Sequence, residues 1–233
     1  METRAVLAAY CRLMESIKAR TGIMHMLATN QAGLPASYVT EFQQLQIRMI
    51  CETLAIACLL AHRDIAGARS ARLNTAYQAD LIMNALEKIH PRFYPHATRQ
   101  ILKDGTPVGI EDIKDGFLTK NELLKSYHSA GDFLHAGDMT NFLSNRQKAF
   151  DPKSVGKWVR KLTTLLNHHS IFLADRPGSW DGKERLKFLD REPAPKLQII
   201  VQMNVGPHGR PEATIFESIG QVSELPEGLK PPS

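Results

Sequence analysis

The stretch Thr53-Leu54-Ala55-Ile56-Ala57-Cys58-Leu59-Leu60-Ala61 is apolar on every side. It lies within a helical pattern that runs from Tyr38 to about Arg63, and a helix that is hydrophobic all round must be covered all round. The chain therefore needs other helices to surround this one. Its 43% hydrophobic and 23% charged residues suit a packed domain rather than a disordered chain. Its 233 residues are enough to build a sizeable core.

Other segments supply the covering. Val6, Leu7, Tyr10, Leu13, Met14 and Ile17 recur at spacings of three and four, which predicts an amphipathic helix over 2–18. Gly33 and Pro35 punctuate the chain before the central helix. A third helix is expected over 72–89, with Ala79, Ile82, Met83, Leu86 and Ile89 on one side and Pro91 as its stop. Helical patterning returns at 119–135, 138–149 and 154–173. On the central helix, Arg48 and Glu52 are spaced to pair.

Two stretches read as β-hairpins. Asp104-Gly105 is a turn dipeptide set between Ile101-Leu102 and the alternating Val108 and Ile110. Leu197–Met203 and Ala213–Ile219 flank a loop holding Gly206, Pro207, Gly209 and Pro211. Residues 175–195 read as a surface connection with a short helical turn at 183–189. The expected fold class is α+β: a mainly helical bundle with a short internal β-hairpin and a C-terminal β-hairpin. It is expected to be one domain over 1–220, including the 197–219 hairpin, followed by a frayed tail at 221–233.

No apolar run approaches the roughly 18 residues that a membrane-spanning helix needs. The N-terminus also lacks an extended apolar stretch before a cleavage site. A cytoplasmic protein that does not engage a membrane is the expectation. Cys11, Cys51 and Cys58 form no C-x-x-C pair and read as small buried hydrophobes in a reducing compartment.

Two regions carry candidate chemistry. His128, Asp132 and His135 stand at i, i+4 and i+7, within about 60° of one another on a helix. They sit beside the stripe of Leu123, Tyr127, Ala130 and Leu134. Two imidazoles and a carboxylate can share a proton or ligate a divalent metal. The same spacing also suits half-buried structural histidines with Asp132 exposed. His169, read as part of the 154–173 helix, points into an apolar stripe and is expected either to be a core histidine or to join the trio in a composite site. The spacing matches no recognised metal signature, and no cofactor is indicated.

The second region is basic. Residues 146–161 hold Arg146, Lys148, Lys153, Lys157, Arg160 and Lys161 against Asp151 alone, an excess of +5 that equals that of the whole chain. Such a run binds phosphate backbone by releasing counterions, or is an ordinary solvated face paired with the acidic end of its own chain. Gly-rich phosphate loops, dinucleotide fingerprints, nucleophile elbows and kinase motifs are absent from the sequence. The leading expectation is a non-catalytic binding protein whose segment 146–161 contacts nucleic acid or an acidic protein partner. The alternatives are a hydrolase or ribonuclease using the His/Asp set, and a structural subunit whose C-terminal hairpin extends a partner's sheet.

Overall fold

The computed structural model describes residues 3–31, 33–63, 65–135, 152–173, 196–203 and 209–218. Six α-helices and a five-stranded antiparallel sheet make up the described part, a mainly helical α+β fold. The expected helix at 138–149, the turn at 183–189 and the tail from 221 lie outside the described residues.

The helix α2 (Ala36–Ala61) is the centre. It packs against α1 (Thr3–Ala28), α4 (Ala79–Ile89) and α5 (Lys120–Leu134). Ile50, Cys51, Leu54, Ala55, Ala57 and Cys58 are wholly buried, and Ile56, Leu59 and Leu60 are partly buried against the same core, so most of the apolar segment is covered as its composition requires. Among the described residues, α2 is also the one helix long and apolar enough to cross a membrane by length and composition. That corrects the sequence expectation that no segment approaches this threshold: two charged residues, Arg48 and Glu52, fall inside its run, and they pair at 3.3 Å.

The first helix runs ten residues beyond its expected end, because the stripe of Tyr10, Met14 and Ile17 continues through Met24 and Leu27, all buried. The expected 72–89 helix is broken into α3 (Ala71–Asn74) and α4. Asn74 and Thr75 are weak helix formers, and the chain leaves the helix at Thr75 before α4 begins. Thr119 caps α5 reciprocally: its hydroxyl accepts from the Glu122 backbone N–H at 3.3 Å, and the Glu122 carboxylate accepts from the Thr119 N–H at 3.1 Å.

The internal hairpin is β1 (His96–Lys103) and β2 (Thr106–Asp112). Its turn holds both Asp104 and Gly105 at positive φ, 52° and 78°, the backbone of a type I′ turn. The C-terminal hairpin is β4 (Lys196–Gln202) and β5 (Glu212–Ser218). The two hairpins are joined by a strand that the sequence reading takes for helix. The helix α6 (Pro152–Leu166) stops at Leu166, and β3 (His168–Phe172) pairs with β1 on one side and β4 on the other. The sheet order is β2-β1-β3-β4-β5.

The cause is burial on both faces. His169, Ser170 and Ile171 are consecutive and all buried, so neighbouring side chains on opposite faces of β3 are both covered. A strand covered on both faces loses the alternation that would identify it. At its rear edge, the His62 ring just after α2 lies between the carbonyl oxygens of Cys58 (2.7 Å) and Phe172 (3.1 Å), tying the end of the central helix to β3.

Thr119→Ala removes the hydroxyl half of the α5 cap, and the expected loss is about 1 kcal/mol of folding stability. Urea unfolding followed by circular dichroism measures it; an unchanged midpoint would show that the cap contributes nothing.

Candidate functional site

Three helices bring polar side chains to one cleft of about 360 Å³. The middle of α2 supplies Arg48. The start of α4 supplies Gln78, Asp80 and Leu81, and α5 supplies Tyr127, His128, Gly131, Asp132 and His135. The trio picked out by helical spacing, His128, Asp132 and His135, thus lines a single wall. His135 lies just past α5 as its C-cap, with extended backbone (φ −70°, ψ 138°) rather than the helical one expected over 119–135, and its N–H reaches the Gly131 carbonyl at 3.3 Å.

Asp80 is the partner that spacing on one helix does not reveal. Its Oδ2 lies 4.0 Å from Nε2 of His128, and both side chains are open to solvent. Arg48 is the fixed cation of the cleft. Its Nε lies 3.3 Å from the Glu52 carboxylate, its Nη2 donates to the Tyr127 hydroxyl at 3.1 Å, and its guanidinium carbon sits 4.5 Å from the Tyr127 ring centroid. Gly131 makes room for it: a Cβ at Gly131 would lie 2.5 Å from Arg48 Nη1. The glycine that weakens the helix pattern is therefore the surface on which the guanidinium rests.

Asp80 and Asp132 place two carboxylates in the cleft beside Arg48, which is itself paired with Glu52. Among the described residues, no three His, Cys, Asp or Glu side chains converge to hold a metal ion.

His169 stands apart from this cleft. It is fully buried on β3, where its Nδ1–H donates to the Leu166 carbonyl at 2.9 Å and its Nε2 accepts from the Tyr10 hydroxyl at 2.8 Å. Both ring nitrogens are engaged by a neutral tautomer, so the composite site of four residues does not assemble. Of the two expectations for His169, the core position is the one occupied.

The basic segment divides in two. Arg146 and Lys148 lie outside the described residues. On α6, Val155, Trp158, Leu162 and Leu165 are buried, while Lys153, Lys157 and Arg160 are exposed on the opposite side. Lys161 turns inward and pairs with Glu122 of the α5 cap. Hydrogen bonds from Lys161 and from the Thr119 backbone hold the Glu122 carboxyl below the usual range. Lys161 is thereby a brace between α5 and α6, because at about 100° per residue it sits toward the buried side of the basic sector.

Comparison with family models, with curated proteins and with solved structures found no match to this chain.

Burial pushes the His169 imidazole down to about 4, from an ordinary value near 6.5. The unfolded chain takes up a proton at this residue below about pH 6.5, whereas the folded chain resists until about pH 4, so stability falls across that window and levels off beneath it. The contribution is about 3 kcal/mol. Urea unfolding at a series of pH values, in the wild type and in His169→Gln, tests this: the wild-type curve should be steeper between pH 6.5 and 4. Parallel curves would exclude the assignment.

Proposed function

We propose that this chain is a non-catalytic binding protein whose α6 lies against a nucleic-acid backbone. The supporting observation is the composition and geometry of that helix. Over Pro152–Leu166 it carries four cations and no acidic residue. Three of them, Lys153, Lys157 and Arg160, occupy a sector of about 60°, directly opposite the buried stripe. They span about 10 Å along the helix axis, the rise of roughly three phosphates along one strand of a duplex. Trp158 faces the core, so this surface offers charge without an aromatic platform. It suits contact with the backbone rather than with the bases.

A second reading attaches to the His128–Asp80 approach: a carboxylate beside an exposed imidazole, with His135 and Asp132 along the same wall, is an arrangement for proton transfer in a hydrolase. Hydrolysis of p-nitrophenyl acetate that vanishes in both His128→Ala and Asp80→Asn would support it. Turnover that persists in either variant would remove it.

For the leading reading, fluorescence anisotropy with a labelled DNA duplex is the direct measurement. The logarithm of affinity should fall with the logarithm of salt concentration at a slope of about −3, the value for roughly three phosphate contacts. Lys157→Glu combined with Arg160→Glu should weaken binding at least tenfold. That pair is chosen because altering Lys161 would also break its bond to Glu122. No binding at low salt, or binding that the double variant leaves intact, overturns the reading.

A further inference from the structure

A second and larger cleft lies between α1, the first half of α2 and α6. Its volume is about 880 Å³, within the range of sites that enclose a drug-sized molecule. Its walls are apolar, formed chiefly by Ile17 and Met24 of α1, Val39 of α2, and Val155, Val159 and Leu162 of α6.

Two independent features separate this cleft from an incidental gap. The first is Gln43. Its side chain lines the cleft and is only 4% exposed, yet among the described residues its amide has no hydrogen-bond partner. The amide atoms are not among the buried polar atoms left without a partner, so they reach the open cleft, where a group that enters can meet them. Three other polar side chains of the lining are already engaged, whereas His25, Thr163 and Asn167 lie at its exposed rim. Thr21 and Thr40 donate to the carbonyls of Ile17 and Ala36 on their own helices, and Lys18 donates to the Gly209 carbonyl at 2.7 Å.

The second feature is a pair of glycines inside helices. Gly22 of α1 and Gly156 of α6 both line the cleft. A glycine in a helix costs stability relative to alanine, and crowding does not require either of these. A Cβ at Gly22 would meet nothing within 4 Å, and one at Gly156 would meet only the Arg160 Nη1 tip at 3.9 Å. What their missing side chains do is leave the cleft open.

We propose that this cleft binds a small, uncharged, mostly apolar molecule whose carbonyl or hydroxyl group meets the Gln43 amide. The apolar walls supply affinity through burial, and the amide sets which end of the molecule enters. The site is separate from the exposed basic face of α6 and stands whether or not that face binds nucleic acid.

The probe is Nile red, a neutral dye with a carbonyl that fluoresces in apolar surroundings. Saturable binding to the full chain at one site is expected. Gly22→Leu and Gly156→Leu should each weaken it at least tenfold while leaving the thermal midpoint unchanged or raised, because each replaces a helical glycine without a clash. Displacement by benzophenone and by diphenylmethane, which differ by a carbonyl against a methylene, isolates Gln43. In Gln43→Leu, benzophenone should lose several-fold in affinity and diphenylmethane should lose nothing. Non-saturable fluorescence, or binding indifferent to both glycine variants, overturns the site. Equal effects on both competitors overturn the role of Gln43.

Discussion

Everything in this molecule is arranged around the need to hide α2. Its apolar middle has no side that water can wet without cost, and α1, α4 and α5 each take one part of its surface. Once those helices are in place, their outer faces are fixed. The polar cleft forms where α4 and α5 diverge over Arg48, the point at which the α2 sequence turns from apolar to charged. The larger cleft forms where α1 and the first half of α2 meet α6. Both candidate sites are thus at the margins of one buried helix.

The helix α6 shows how much a single amphipathic segment can carry. One side inserts Trp158 and Leu165 into the core, and the opposite side presents lysine and arginine to water. The flank between them, with Val155, Gly156 and Val159, closes the apolar cleft. Lys161, at the border of the charged sector, fastens the helix to α5 through Glu122. The division follows from position around the helix, because residues three and four apart share a face.

Much of this was legible in the chain. The apolar periods locate α1, α2, α5 and α6, and Asp104-Gly105 locates the first hairpin, since these signals are local and each element obeys its own period. The placing of His128 and Asp132 on one wall was also readable, because i and i+4 share a face of α5, while His135 reaches the same wall from the cap just past the helix. Two things were not. β3 has neither a helical stripe nor an alternation, since it is covered on both faces, and its identity comes from pairing with strands far along the chain. Asp80 joins His128 only through the packing of α4 on α5, and no spacing within one helix contains that distance. Gly131 carried a signal that could have been followed: a glycine in the middle of an otherwise sound helix marks a close approach, here by Arg48. Thr119-x-x-Glu122 was likewise a start signal in plain view.

The bond between Tyr10 and His169 joins residues 159 positions apart. Tyr10 is made well before β3, so its buried hydroxyl has to wait for that strand before it meets its acceptor. The sheet cannot close earlier either, because β3 is the strand that links its two halves. During synthesis the helices can therefore gather around α2 well before the molecule is complete, as a nascent intermediate whose inner surface stays exposed.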